Sequence, residues 1–322
     1  MTLITSFIIF GISAGLLYFA GELIVKGMLR LSRYIGVTEF VVAFFVMAVA
    51  ASLPNLFVGI TSALQGIPEL SFGDIMGNNM IALTLAVGLA VFFSPNKEIP
   101  VDNQTIKGTS FFTIIAAILP IILISDGVIS RLDGLILIGL FAYYIYWLFS
   151  KKERFSKIYE EHEEKNVIFE AKLAFFDISK IVAGVIILMV SAQGIVFSAS
   201  SIAIDLGLPL VLIGIFILGF GSALPEVYFG ISSAKKGEVS MILGNLMGAV
   251  IIPASLVIGI VSIISPIHSD GLQFSIINRL FLIFAALFFF LFSKTHDKIS
   301  TRESYFLLAI YIAFVLTTIF HR

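Results

Sequence analysis

Slid against itself by 171 residues, this chain aligns positions 51–95 with positions 222–266 without a gap, and 15 of the 45 pairs are identical. The identities include Leu53 with Leu224, Pro54 with Pro225, Gly59 with Gly230, Ser62 with Ser233, Gly66 with Gly237, Gly73 with Gly244, Met76 with Met247, Gly77 with Gly248 and Gly88 with Gly259. So long a register is an internal duplication, and whatever one half folds into, the other must fold into as well.

Hydropathy says what that is. With 59% hydrophobic and 13% charged residues and a mean hydropathy of +1.07, the 322-residue chain is too apolar for a soluble core. Crossing about 30 Å of hydrocarbon takes roughly 20 apolar residues in a helix. About ten such stretches occur, near 3–25, 37–64, 71–94, 108–125, 133–150, 176–199, 207–234, 240–265, 276–293 and 304–321. The first has no basic stretch before it and no clear cleavage site, so it reads as a retained helix rather than a signal peptide. With no cysteine, disulfides, thiolate nucleophiles and Cys-ligated metals are excluded.

Five helices per repeat is an odd number, so the second repeat enters the membrane from the opposite side. The expected fold class is therefore all-α and integral to the membrane, with about ten transmembrane helices as two inverted five-helix repeats, 1–150 and 176–322, joined by a loop at 151–175. Inverted repeats are a transporter architecture in which a midplane site is exposed to either face in turn. Lys and Arg collect on the cytoplasmic side. An external N-terminus places 17 of the 20 basic residues there, leaving Arg131, Arg279 and Arg322 outside. This orientation puts both termini outside an inner (plasma) membrane and the 151–175 loop in the cytoplasm.

Within each duplicated block a proline precedes a polar residue in an apolar span: Ala51-Ser52-Leu53-Pro54-Asn55 and Ser222-Ala223-Leu224-Pro225-Glu226. Proline frees a carbonyl one turn earlier, and bare carbonyls at membrane depth are tolerated where they line a cavity or meet a ligand. Helical rise puts Glu226 about 13 Å from the cytoplasmic end of its span and Asn55 about 15 Å from the outer end of its own, so both lie near the midplane. A carboxylate at that depth is a functional candidate. The next helix of each half opens on Gly73-Asp74-Ile75-Met76-Gly77-Asn78-Asn79 or Gly244-Asn245-Leu246-Met247-Gly248-Ala249. These glycines let a neighbour approach closely, bringing Asn78 or Asn79 toward the proline-bearing helix. Asp74 is expected shallower, as a solvated cap near the outer mouth. Glu22, whose repeat mate is Gln193, falls about 28 Å along the first helix, at the cytoplasmic rim.

This pattern, a Leu-Pro-acid motif followed by Gly-Asn/Asp-x-x-Gly in two inverted halves, resembles the sodium/calcium exchanger (calcium/cation antiporter) superfamily over nearly the whole chain. The resemblance implies Gly-Thr-Ser-x-Pro-Glu and Gly-Asn-x-x-Gly-Ser-Asn in both halves, and a central site of glutamates, hydroxyls, amides and carbonyls that binds Na⁺ and Ca²⁺. Glu226, Ser222, Ser52 and Asn79 keep family residue types or close substitutes. Asn55 stands where the first glutamate belongs, Asn78 and Ala249 replace serines, Ala82 and Pro253 replace deeper Asn or Asp ligands, and Ala51 and Ala223 lack hydroxyls. Ca²⁺ wants six to eight oxygens with several carboxylates among them. At about 4 Å and an effective dielectric of about 20, losing one carboxylate costs a divalent ion on the order of 8 kcal/mol. The single carboxylate of this site suits a monovalent ion or proton better, unless Glu22 or Asp74 reaches further in.

The expected function is an alternating-access antiporter exchanging Ca²⁺ or another cation against Na⁺ or H⁺. Glu226 is its charged ligand, Asn55 and Asn78 its amide ligands and Ser52 and Ser222 its hydroxyls, with Asp74, Asn79, Asn245 and Glu22 as accessories. The alternative keeps the fold for a monovalent cation or an organic or lipid-linked solute. An intramembrane aspartyl protease would need facing aspartates at depth, whereas Asp74 and Asp177 fall near helix ends. Expected partners are the lipid bilayer and an inorganic cation, with no nucleic acid, no cofactor and no enzymatic step; a monomer is admissible.

Overall fold

The computed structural model describes residues 2–35, 47–101, 104–150, 167–237, 239–268, 276–294 and 298–320. Ten helical spans lie among the described residues. The first repeat comprises α1 (Leu3–Ile35), α2 (Met47–Leu64), α3 (Pro68–Phe93), α4 (Gln104–Leu123) and α5 (Arg131–Phe149). The second comprises α6 (Val167–Leu206), α7 (Leu210–Ile213, Gly214–Leu218 and Gly219–Lys236), α8 (Val239–Ile251, Ile252–Val257 and Ile258–Ile264), α9 (Ile276–Lys294) and α10 (Thr301–Phe320). Seven spans among the described residues are long and apolar enough to cross a bilayer.

The helices differ in how they are placed. Within the spans of α3 and α8, 83% and 78% of the most apolar window is buried, against 17% for α1, so α3 and α8 form the centre and α1 the periphery. Large apolar side chains left exposed on α1, such as Phe7, Ile12 and Phe19, and on α6, such as Ile186, Met189 and Phe197, are what a lipid-facing surface requires. α1 and α6 lie together through small residues: a Cβ on Gly184 would meet Ile24, and one on Gly27 would meet Ile181.

The duplication reappears as duplicated contacts. Gly59 on α2 lies against Ser71, Val257 and Val261, while its mate Gly230 on α7 lies against Ile242, Ala86 and Ala90, the same three positions shifted by one repeat. Gly88 packs on Leu308 of α10, and its mate Gly259 on Ile138 of α5. Both third helices pass through a π-helical turn, Ile81–Ala86 and Ile252–Val257, and in both a hydroxyl bonds back to the carbonyl four residues earlier, Thr84 to Met80 and Ser255 to Ile251. Both fifth helices open on a serine bonded to an acid three residues on, Ser130 with Asp133 and Ser300 with Glu303, which satisfies backbone donors at the helix start.

Short strands tie the halves together. β1 (Glu98–Pro100) after α3 pairs with β4 (Lys298–Ser300) before α10, and β2 (Val128–Ile129) before α5 pairs with β3 (Ile267–His268) after α8, both antiparallel. Each pair thus links the connection after the third helix of one repeat to the one before the fifth helix of the other.

Two points refine the sequence reading. The proline of the second helix frees a carbonyl without breaking the helix: α7 is continuous through Pro225, and its irregularity is the π-helical turn Gly214–Leu218 placed before the proline. An extra residue in a turn disturbs the backbone ladder without ending the helix. The equivalent part of α2 lies outside the described residues. α6 also starts at Val167, inside the stretch expected as loop.

Candidate functional site

The site is built where α3 and α7 come nearly into backbone contact. Side chains would forbid that approach. A Cβ on Gly73 would overlap the carbonyl of Val211, and one on Gly77 the carbonyl of Ile215. From the other side, a Cβ on Gly219 would sit 2.8 Å from Gly77 Cα and 2.9 Å from both the Asn78 nitrogen and the Asp74 oxygen. The glycines therefore set the distance, and the polar residues between them are carried inward with the backbone.

Asp74 moves furthest from expectation. It is 2% exposed rather than a solvated cap at the mouth, and its Oδ1 accepts a 2.9 Å hydrogen bond from Ser222 Oγ of α7. The depth estimate measured distance along one helix; burial is decided by the neighbour, and α7 covers the face on which Gly73, Asp74 and Gly77 lie. The Gly-x-x-x-Gly spacing of Gly73 and Gly77 was the available signal, since small residues four apart mark a close helix contact.

One turn beyond Ser222, Glu226 is 5% exposed, and its Oε2 is buried with no hydrogen-bond partner in the protein. Residues four apart on a helix stand about 5–6 Å from each other, so Ser222, which holds Asp74, stands one turn from Glu226. Neither has a cationic side-chain partner: the ion pairs among the described residues are Lys180 with Asp177 and Lys298 with Glu98.

Asn78 marks the molecular pseudo-twofold. Its Nδ2 donates a 3.1 Å hydrogen bond to the carbonyl of Ala249, its own repeat mate 171 residues away. A contact between equivalent residues can form only beside the axis that exchanges them. Asn78 Oδ1 and both side-chain polar atoms of Asn79 are fully buried without partners, as is Ser71 Oγ. Leaving a polar group buried and unpaired costs about 1–3 kcal/mol, so several along one helix are a feature that the fold carries for a reason other than stability. Ser71 escaped the sequence reading because its repeat mate is the apolar Ile242.

The remaining candidates divide. Asn55 and Ser52 on α2 are buried, each 4% exposed, and Asn245 on α8 is half-buried. Ser222 is also partly exposed. Glu22 and its mate Gln193 are both exposed, on α1 and α6, so of the two carboxylates considered for the missing charge the fold brings in Asp74 and leaves Glu22 outside. Ala82 and Pro253 occupy the second position of the π-helical turns of α3 and α8. No cluster of three or more His, Cys, Asp or Glu side chains occurs among the described residues; the charged part of this centre is a pair, completed by amide and hydroxyl oxygens.

Comparison with known proteins bears on the family and the fold. A family model described as sodium/calcium exchanger protein matches residues 5–150 and 178–320. An uncharacterized membrane protein of Methanocaldococcus jannaschii is 29% identical over 302 residues, covering 92% of each chain. A sodium/calcium exchanger of Methanosarcina acetivorans is 22% identical over 328 residues, covering 91% of this chain and 92% of its own. A solved structure of the sodium-calcium exchanger NCX_Mj superposes with a TM-score of 0.66 at 26% identity, over 98% of this chain and 99% of that one.

Proposed function

Because the chain belongs to the sodium/calcium exchanger protein family, we propose that it is a cation antiporter working by alternating access, in which the buried polar centre beside the pseudo-twofold binds the transported ion. The observation that carries this reading is the pair of buried oxygens without protein partners, Glu226 Oε2 on α7 and Asn78 Oδ1 on α3, each one turn from the Ser222–Asp74 hydrogen bond, with no cationic side chain paired to either carboxylate among the described residues. Oxygens of that kind, held in place by helix packing, are what a hard cation needs when it sheds water. Glu226 is the charged ligand on α7, Asn55 on α2 and Asn78 on α3 are amide ligands, Ser52 and Ser222 supply hydroxyls, and Asn79 and Asn245 are accessories on α3 and α8.

The cation is Ca²⁺ or another small ion, exchanged against Na⁺ or H⁺. The protein lies in the plasma (inner) membrane with both termini outside and the 151–175 connection in the cytoplasm, as the distribution of Lys and Arg supports. In that orientation β1 and β4 lie on the cytoplasmic side and β2 and β3 outside. The two inverted repeats supply the equivalent inward- and outward-facing arrangements that alternating access requires.

A flux panel in proteoliposomes, covering Ca²⁺, Mn²⁺, Mg²⁺, Na⁺, K⁺ and H⁺, tests the reading. Uptake of one of these ions should be driven by an opposed gradient of another. Lack of coupled movement for every ion in the panel would remove cation exchange as the function.

A further inference from the structure

The central site looks one carboxylate short when the chain is compared position by position with the exchanger pattern, because Asn55 stands where a glutamate belongs. The fold supplies a second carboxylate from elsewhere. Asp74 occupies a place where the pattern has asparagine, and its repeat mate Asn245 keeps that asparagine. The first repeat has thus lost a charge on α2 and gained one on α3.

We propose that Asp74 is the second charged ligand of the ion site, so that both carboxylates belong to the α3–α7 pair of helices and hold a doubly charged cation between them. This rests on the reading of the polar centre as the cation path. Four observations carry it. Asp74 is buried at 2% exposure on the helix face that meets α7. Its bond is to Ser222, which stands one turn before Glu226 on α7. Glu226 is itself buried with an unpartnered oxygen, and Asn78, one turn along α3 from Asp74, presents another. No Lys, Arg or His among the described residues neutralises either carboxylate. Two buried carboxylates with no cationic side chain beside them are neutralised by protons or by a bound cation, and a divalent cation displaces the protons and supplies both positive charges at once.

A purely structural aspartate would serve only as acceptor for Ser222, a task that Asn performs with the same atom in the same place. Asp74→Asn therefore separates charge from hydrogen bonding. A divalent ion feels a lost unit charge twice as strongly as a monovalent ion at the same distance, so the fold-loss for Ca²⁺ should be about the square of the loss for Na⁺.

Ca²⁺ and Na⁺ binding to the purified full-length protein, measured by titration calorimetry, should show Asp74→Asn losing on the order of 100-fold in Ca²⁺ affinity and about 10-fold in Na⁺ affinity. The double variant Asp74→Asn with Asn55→Glu, which returns the charge to α2, should recover much of the Ca²⁺ loss. Ca²⁺ affinity within about twofold of wild type in Asp74→Asn, while Glu226→Gln loses binding, would make Asp74 a structural residue and leave the antiporter reading intact. Equal losses for the two ions would likewise overturn a charge role. Wild-type protein that binds neither Ca²⁺ nor Na⁺ would overturn this assignment, while only failure of the whole flux panel would overturn the antiporter reading.

A measurement on the unsubstituted protein guards against misfolded variants. Carbodiimide labelling of carboxyl groups, mapped by mass spectrometry, should show Ca²⁺ protecting Asp74 together with Glu226. Protection of Glu226 without Asp74 would refute the assignment.

Discussion

The α3–α7 and α2–α8 helix pairs are related by the molecular pseudo-twofold, yet they differ in charge. Along α3 and α7 lie Asp74, Ser222 and Glu226; at the mates along α8 and α2 lie Asn245, Ala51 and Asn55. The backbone framework is duplicated down to the π-helical turns, while both carboxylates have collected on one side. A duplicated fold constrains where helices run, and glycine positions enforce that in both halves. It does not constrain where charge sits, provided that the total reaching the shared centre is kept. Under the proposed assignment, two carboxylates along one helix pair take the place of one carboxylate in each repeat, beside the axis marked by Asn78 and Ala249.

The largest effect should come from removing charge on the charged side. Glu226→Gln keeps the shape of the side chain and one oxygen, so folded yield should stay near wild type while exchange in proteoliposomes falls by about 100-fold or more, the scale set by a lost charge contact in a partly shielded site. Asn55→Ala, at the neutral mate, should cost closer to tenfold, as expected for one neutral oxygen ligand. Equal losses at the two positions would show that the sides are functionally symmetric after all.

Next comes packing, where the tighter contact lies on the neutral side. A Cβ on Gly59 of α2 would meet Ser71 Oγ at 2.9 Å and Val257 and Val261 at 3.0 Å, whereas on Gly230 of α7 its nearest neighbours lie at 3.8 Å. Gly59→Ala should destabilise by about 1–3 kcal/mol through overpacking. Gly230→Ala should be neutral or stabilise by up to about 1 kcal/mol, because alanine loses less backbone entropy in a helix. Thermal unfolding in detergent distinguishes them, and similar shifts for both would mean that the two glycine contacts are equally loose.

Much of this was readable beforehand, for reasons that differ from residue to residue. The ten spans and their inversion follow from hydropathy and an odd count, which no side-chain detail can override. Glu226 and Asn55 stand out in the sequence as polar residues mid-helix on spans whose ends are marked by polar residues, and both are buried. Asp74 was misplaced because depth along its own helix says nothing of the helix lying across it; only the glycine spacing hinted at that. Of the π-helical turns, Ile252–Val257 carries a sequence mark in Pro253, which has no backbone N–H to give to the helical ladder, whereas Ile81–Ala86 has no proline and no such mark. Ser71 could not be found by comparing repeats, because its mate carries no polar atom.

Adding charge on the neutral side sharpens the comparison with a smaller effect. Asn55→Glu brings a further carboxylate to a centre that already contains Asp74 and Glu226. It should tighten Ca²⁺ binding by about tenfold, less than the loss in Glu226→Gln, because a third negative charge also repels the two already there. Titration calorimetry reads this directly. No gain would mean that the absent side-chain ligands at Ala82 and Pro253, rather than the charge at Asn55, set the ceiling for divalent ions.

The smallest effect belongs to the strand pairs, which are also related by the pseudo-twofold and also differ in charge. β1 and β4 are joined by a 2.7 Å ion pair between Glu98 and Lys298, whereas the register of β2 and β3 sets Val128 opposite His268. The ion pair is a substantial fraction exposed, 36% on the glutamate and 45% on the lysine side chain. Pairs of that kind contribute about 0–1 kcal/mol and are screened by salt. Glu98→Gln should therefore shift thermal unfolding only slightly, with the shift shrinking as salt is raised, and leave Ca²⁺ and Na⁺ affinities unchanged. A large change in exchange rate from this substitution would instead mean that the strand contact between the repeats yields during transport, since a weak surface pair can influence rate only if it breaks on the way between the two facing states.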